Sequence, residues 1–225
     1  MNFLEHLAEE ARFQSGVTKE TFSYRKKLFE YSSLHKEKTI GVLESGFALI
    51  ETYDQRGYWM PQKIIKPGTI FGFENFTDTF QTENLLEYRV KGLEKGSFYR
   101  ISQDYMHLLI ATDIELQQFI QNQLINHLAN ISSRYHYSQY GLYQKLTLEL
   151  YRIARDLSLP TNNATLIFPN YISISFLAGY LRAGRNRISE QFEELAREGI
   201  LESRRPIILN MQKFSQKLQE DYLSF

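Results

Sequence analysis

The sequence predicts an α+β chain in two parts: a β-rich N-terminal half, and a long helix leading into a helical C-terminal part that closes on a short hairpin. Three observations carry this. Runs of β-branched and aromatic residues, punctuated by Gly and Pro, fill residues 21–101 at the roughly 8–12-residue spacing of a sandwich or barrel. From Asp104 to Tyr137 there is neither Gly nor Pro, and apolar residues recur at helical spacing. Beyond that, short amphipathic stretches alternate with turn signals.

Within the β part, Thr39–Tyr53 reads as two strands broken at Glu44–Gly46. Gln55-Arg56-Gly57 is a Gly-bearing hairpin turn, Tyr58–Ile65 the next strand, and Lys66-Pro67-Gly68 a Pro-Gly turn; Gly72, Gly92 and Gly96 punctuate the rest of the β part. In the long helix, Leu116, Ile120, Leu124, Leu128, Ile131 and Tyr135 form one stripe. Asp113 is placed to cap it and Glu115 lies in its first turn, where the dipole favours an acid. A helix of about 25 residues spans about 37 Å at 1.5 Å per residue, long for one lying on a single small domain. It is read either as an ordinary core helix or as a linker helix whose stripe also pairs with its twin in a dimer, and the second is the expectation carried forward. Leu142–Leu157 reads as a second amphipathic helix, with Leu146, Leu150 and Ile153 on one side. Pro160 and Asn162-Asn163 break the chain before a short strand at Thr165–Phe168.

The most informative stretch is Tyr171–Leu201. Ser173 fits the N-cap of a short helix that turns Leu177 and Leu181 inward. Arg182-Ala183-Gly184 is a turn, and Arg185–Glu198 a second helix that buries Ile188, Phe192 and Leu195 and stops at Gly199. Two helices that cross steeply need a small residue where they touch, and Ala178 supplies it. This is helix-turn-helix geometry. By subtraction Arg185, Asn186, Ser189 and Glu190 face outward near the N-terminal end, the end that enters a major groove in this motif. Arg suits guanine O6/N7, Asn suits adenine N6/N7, and Glu accepts from cytosine N4. Glu202–Leu209 then predicts a small hairpin, a wing, with Arg204-Arg205-Pro206 at its tip and two guanidinium groups for phosphates.

Composition sets limits on function. Lys plus Arg equals Asp plus Glu at 26 each, so a uniformly basic nucleic-acid coat is excluded and only a local patch remains. One such window exists: no carboxylate occurs between Asp156 and Glu190, whereas Arg182, Arg185 and Arg187 fall there. Cysteine is absent, which excludes disulfides, thiolate nucleophiles and cysteine-ligated metal or iron–sulfur centres. The five His, among them His6, His35 and His107, form no ligand or catalytic constellation, so no metal and no cofactor are expected. Neither a nucleophile elbow, a zincin helix motif nor a Walker loop occurs, and no enzyme activity is expected. No apolar run exceeds four residues, and MNFLEHLAEEARF lacks the continuous apolar segment of a secretory signal; a cytoplasmic location is expected.

On these residues the whole chain resembles the cyclic-AMP receptor protein/Fnr superfamily of bacterial transcription regulators. Ser45–Gly72 is similar to that family's Gly-containing strand, hairpin and Pro-Gly-x-x-x-Gly turn, and Tyr171–Leu201 is similar without a gap to its DNA-reading segment. The resemblance implies an N-terminal cyclic-nucleotide-binding-like β-roll (jelly roll) over residues 1–112. A dimerisation helix over 113–138 and a winged helix-turn-helix over 139–225 complete the chain. The family's base-reading positions fall on Arg185, Asn186 and Glu190, with Ser189 beside them; Ser173, Arg182, Arg187, Arg204 and Arg205 are assigned to phosphates. Leu116, Ile120, Leu124, Leu128 and Ile131 would form the dimer interface. Implied partners are double-stranded DNA with a two-fold symmetric operator, a second copy of the chain, RNA polymerase and a small-molecule effector, with no membrane. The effector pocket would involve Gly72, Phe73, Glu74, Asn75 and Arg89.

Two departures qualify the resemblance. Family members that bind cyclic nucleotides hold the ribose with a Gly-Glu pair and the phosphate with an Arg-Ser/Thr-Ala run. Here the pair reads Gly72-Phe73, with Glu74 one place late, and the run Asn84–Val90 puts Arg89 too far along. An unpaired buried phosphate costs heavily, so cyclic AMP is not expected to bind. The PrfA-like group, which also lacks the nucleotide cassette, is the branch it most resembles. The second departure is Arg182, which stands where the family often has Gly, and predicts a positive φ unless Gly184 absorbs the bend. The rival reading is a small-molecule-binding β-roll whose helix-turn-helix serves protein interaction rather than DNA.

Overall fold

The computed structural model of the protein describes residues 3–13, 16–32, 38–54, 57–76, 87–161 and 163–222. Gln55 and Arg56 of the expected hairpin turn, Asn84–Leu86 of the expected nucleotide run, His35, Asn162 and the side chain of Ile131 lie outside the described residues. The chain divides into two compact units, 1–133 and 134–225.

The first unit opens with helix α1 (Phe3–Phe13) and is then dominated by eight antiparallel strands. These are β1 (Val17–Phe22), β2 (Lys27–Tyr31), β3 (Thr39–Ser45), β4 (Ala48–Tyr53), β5 (Trp59–Ile65), β6 (Ile70–Phe71), β7 (Tyr88–Gly92) and β8 (Gly96–Ser102). They form two four-stranded sheets, ordered β1-β8-β3-β6 and β2-β7-β4-β5. The break between β3 and β4 falls at Gly46, where φ is 75°. Lys66-Pro67-Gly68 makes a type II turn: the Thr69 amide donates to the Lys66 carbonyl at 3.1 Å, and Gly68 takes the required positive φ of 84°.

Strand alternation sorts two cores. Phe22, Phe29, Leu43, Phe71, Tyr88, Val90 and Phe98 point between the sheets. Ile40, Val42, Ile70, Tyr99 and Ile101 point to the other face of the first sheet, where Leu7 of α1 covers them. Met106 and Leu109 of α2 (Gln103–Thr112), and Leu116 and Ile120 of α3 (Ile114–His136), complete that layer. Gly41 has a packing reason: a Cβ there would lie 1.9 Å from Phe71 Cε2, inside the ring that fills the interior.

The Gly- and Pro-free stretch from Asp104 is two helices rather than one. Asp113 leaves the helical region (φ −121°, ψ 106°) and caps α3, accepting from the amides of Glu115 at 2.8 Å and Leu116 at 3.1 Å. The cap expected at Asp113 is observed, and α2 is a helix before it that the sequence reading did not assign.

The second unit holds α4 (Leu142–Asp156), β9 (Thr165–Ile167), α5 (Ile174–Tyr180), α6 (Arg185–Arg197), β10 (Leu201–Arg204), β11 (Ile207–Asn210) and α7 (Met211–Tyr222). The strands form one sheet ordered β10-β11-β9. Leu146, Leu150 and Ile153 of α4, Leu177 of α5, Ile188, Phe192 and Leu195 of α6, and Phe214 of α7 are all wholly buried. Truncating one such Phe to Ala costs about 3–5 kcal/mol, so α6 is anchored firmly by its inner face.

Candidate nucleic-acid interface

The helix pair is shaped by its termini. Ser173 caps α5 by accepting from the Phe176 amide at 3.2 Å; its hydroxyl proton stays available to an outside acceptor. At the other end the amides of Ala183 and Arg182 donate to the carbonyls of Ala178 and Gly179 at 2.9 and 3.2 Å, the double bond of a Schellman cap. That cap needs a left-handed residue, and Arg182 supplies it with φ 51°. Gly184 does not absorb the bend: its φ is −63° and ψ 141°, and it serves as N-cap of α6. Helix α6 closes with the same motif, this time on a glycine. Ile200 and Gly199 amides donate to Leu195 and Ala196 carbonyls at 2.8 and 3.0 Å, with Gly199 at φ 68°.

The buried triad Ile188, Phe192 and Leu195 fixes the rotation of α6. At about 100° per residue, Asn186 and Glu190 lie opposite that triad, Arg187 lies about 60° beyond Glu190, and Arg185 is on the Phe192 side but is the first residue of the helix. Arg185, Asn186, Arg187 and Glu190 are exposed, and no side-chain hydrogen bond or ion pair holds any of them among the described residues. Ser189 is different. It is half-buried and its Oγ donates to the Arg185 carbonyl at 3.1 Å, which leaves it only acceptor capacity towards a base. Acids gather later on the helix, at Glu193, Glu194 and Glu198, with Glu194 taken up by Arg197.

The hairpin behind α6 has Arg204 opposite Ile207, so Arg205 and Pro206 form its tip. Arg205 is exposed without a side-chain partner among the described residues. Arg204 is leashed to Glu193 Oε1 at 3.8 Å, an exposed pair that an outside anion can displace. Nothing in the spacing of the sequence couples these two residues. The arrangement therefore offers exposed polar and cationic side chains at the N-terminal half of one helix and two guanidinium groups on an adjacent wing.

The long helix carries its stripe in two regimes. Leu116 and Ile120, expected at a dimer interface, are buried inside the first unit at 2% and 8% exposure; they complete its core and have almost nothing left to bury. Leu124 and Leu128 are 41% and 66% exposed, and Ile125, which the stripe does not include, is 61% exposed beside them.

Of the residues expected around an effector pocket, Gly72 and Glu74 share the Tyr88 hydroxyl, whereas Arg89 is turned away. Tyr88 accepts from the Gly72 amide at 3.1 Å and donates to Glu74 Oε2 at 2.7 Å. Burial holds the Glu74 carboxyl above its ordinary value although the Tyr88 bond opposes this, and burial first and the Glu74 charge second push the Tyr88 phenol well up. Asn75 donates to the Thr39 carbonyl at 2.7 Å, and Phe73 packs against the helix-side core. Arg89 is turned to the opposite face of β7, because Tyr88 and Val90 take the inward positions. There it pairs with buried Glu51 at 2.7 Å and lies 4.4 Å over the Trp59 ring. Between the sheets, Phe22, Phe98, Phe71, Phe29, Tyr88 and Tyr31 form a chain of rings with centroids 5.7–6.3 Å apart. Among the described residues no cluster of His, Asp and Glu is set to hold a metal, and no helix is long and apolar enough to cross a membrane.

An antiparallel β-roll followed by a long helix and a winged helix-turn-helix defines the class. Solved structures that share this fold include Crp/Fnr-family regulators and a cyclic nucleotide-binding domain containing protein. A cyclic nucleotide-binding domain containing protein from Listeria monocytogenes matches with a TM-score of 0.72 at 20% identity, over 93% of this chain and 96% of that one. A CRP/FNR-family transcriptional regulator from Thermus thermophilus matches with 0.70 at 16% identity, over 88% and 96%. The c-di-GMP responsive global regulator CLP of Xanthomonas campestris matches with 0.70 at 15% identity, over 92% and 98%. No protein-family model and no curated protein matches the sequence. The chain thus has the Crp/Fnr fold over nearly its whole length.

Proposed function

We propose that the protein is a homodimeric, sequence-specific DNA-binding transcription regulator and not an enzyme. Residues 1–112 act as a sensor-type roll, 113–138 as the linking and pairing helix, and 139–225 as the reader. The observation that carries this is the exposed N-terminal half of α6, where Arg185, Asn186, Arg187 and Glu190 stand without partners while the opposite face is locked into the core. Polar groups of that kind suit base edges, and the Arg182, Arg187, Arg204 and Arg205 guanidinium groups around them suit phosphates, with the Ser173 hydroxyl as a further donor. Pairing through Leu124, Ile125 and Leu128 would place two such helices about a two-fold axis. The roll is not a cyclic-AMP receptor in this reading. Glu74 is committed to Tyr88, Arg89 to Glu51, and aromatic rings occupy the interior. Calorimetry with cyclic AMP should accordingly register no binding.

The test is selection of bound duplexes from a random pool by the purified chain, followed by titration of two alanine variants on the selected site and a scrambled one. Arg185→Ala should cost about 1–3 kcal/mol on the selected site and relax preference at one symmetric pair of positions. Arg204→Ala should weaken both duplexes alike. Equal loss on both duplexes for Arg185→Ala would make it a phosphate contact, and failure to enrich any sequence would favour the protein-interaction reading.

A further inference from the structure

We infer that α4 and α7 together form a positioning strut for the reader: Tyr143 of α4 fastens the C-terminal end of α6, and Tyr222 of α7 fastens the segment after α3 and α7 itself to α4. The inference rests on the DNA-reading proposal and adds how the reading helix is held at its angle.

One end of the strut is at Tyr143, in the first turn of α4. Its hydroxyl donates at 2.5 Å to Oε2 of Glu198, the C-cap of α6. Lys217 of α7 lies 5.5 Å over the same ring and pairs with Asp221 at 3.3 Å. Lys213 of α7 crosses Gly199, where a Cβ would meet its Nζ at 2.4 Å. The end of α6 is therefore gripped from α4 and from α7 at once.

The other end is Tyr222, the last residue of α7. Its ring stacks on Tyr140 with centroids 5.8 Å apart and meets Tyr137 edge-on at 6.3 Å. Its hydroxyl donates to the Gln144 carbonyl and lies 3.1 Å from Oγ1 of Thr147, a wholly buried side chain of α4. Tyr137 belongs to the single 3-10 turn that comes after α3, and Arg152 of α4 lies 4.9 Å over its ring.

Directional bonds matter here because α7 contributes only Phe214 to the fully buried core. Apolar contacts alone would let a helix with one buried ring slide or rotate on α4. The Tyr222 hydroxyl, aimed at defined acceptors on α4, removes that freedom, and the Tyr143 hydroxyl ties α4 to the end of α6. The segment leaving α3 and the end of α6 then share one rigid reference, as a reader needs if displacement of the linker is to reach the groove-facing residues.

The test uses the full chain carrying Tyr143→Phe, Tyr222→Phe or Tyr222→Ala, titrated on the selected and the scrambled duplex at one salt concentration. Tyr143→Phe should lower affinity for the selected duplex roughly 3- to 10-fold and leave the scrambled one nearly unchanged. Tyr222→Ala should do at least as much, with Tyr222→Phe between it and the parent because the ring stack survives. A lowered melting temperature with an unchanged ratio of the two affinities would mean plain packing and overturn the strut. Should Tyr222→Ala fail to fold, the two Phe variants, each short of one oxygen, carry the test. Hydrogen exchange separates this from failure of the DNA reading. Even if the parent selects no sequence, Tyr143→Phe should speed exchange of the Gly199 and Ile200 amides at least threefold, and unchanged protection refutes the strut.

Discussion

Arg182 and Ser158 occupy the same kind of position, the left-handed residue that ends a helix, with φ 51° at each and no glycine to relieve it. At Ser158 the motif ends α4, with Leu159 and Ser158 amides on the Ala154 and Arg155 carbonyls at 2.9 and 3.0 Å. At Arg182 it sits three residues before α6, and its guanidinium has no partner among the described residues. Arg182→Gly should therefore raise stability by about 1 kcal/mol in urea denaturation, the left-handed penalty less glycine's extra unfolded-state freedom. The same variant should bind all DNA more weakly. A variant less stable than the parent would show that the turn is not strained. Glu74 gives a second residue-level expectation, on pH. Burial, outweighing the Tyr88 bond, raises its carboxyl above the ordinary 4.5, so the folded state holds a proton that the unfolded state has released. Stability contributed at this site is gained as pH falls through the raised native value towards 4.5, and is missing at neutral pH. Glu74→Gln keeps an acceptor for Tyr88 and removes the charge. It should stabilise the fold at pH 7 by an amount that shrinks as pH approaches 4.5, when unfolding is followed at both pH values. A benefit independent of pH would assign the effect to packing.

At the scale of elements, the even stripe of α3 conceals two environments. Leu116 and Ile120 close the first unit's core, and Leu124, Ile125 and Leu128 remain outside it. The two halves should respond differently to substitution. Leu116→Ala should cost about 2–5 kcal/mol of stability and leave association intact. Leu124→Glu with Leu128→Glu should leave the fold intact and produce monomers in sedimentation velocity; dimers from that double variant would place the pairing surface elsewhere. The same helix shows where sequence legibility ends. Periodicity revealed the stripe, but sequence spacing carries no record of which part meets the protein's own sheet. The start of α3 was legible because Asp113 is a capping residue type, whereas α2, which precedes it without an intervening Gly or Pro, was not read as an element. Helix α7 escaped because only Phe214 of its residues is fully buried, too little for a stripe. The face of α6 was legible because three buried positions fix a helix's rotation. Its outer couplings were not: Glu193 to Arg204 crosses from helix to wing, and Tyr143 to Glu198 spans 55 residues. Arg89 shows the opposite failure, a charge expected in a pocket that strand alternation turns outward onto Glu51.

For the whole molecule, the formal net charge is +0, so the DNA binding proposed above would have no general field behind it and would rest on the local guanidinium groups. This makes the salt dependence countable. If Arg182, Arg187, Arg204 and Arg205 each meet one phosphate, a protomer neutralises four and a symmetric dimer eight. At about −0.9 per phosphate, the logarithm of the binding constant should fall against the logarithm of salt with a slope of about −7 on a selected palindrome. Two-fold symmetry sets the half-sites about one helical turn apart, near 10 base pairs centre to centre. Inserting about 5 base pairs between them rotates one half-site to the far side of the duplex, where the second protomer of the same dimer cannot follow it. Binding should then drop to that of a single half-site, and the slope should halve to about −3.5, because one protomer's phosphates are left untouched. Inserting a full turn instead returns the half-sites to one face but stretches their separation, so the slope should stay near the halved value for a rigid reader and recover only if the two units of each protomer swing freely. Titrations of the three duplexes at several salt concentrations decide the matter. A slope that the half-turn insertion leaves unchanged would mean that the chain engages DNA as a monomer, and the symmetric regulator would have to be abandoned.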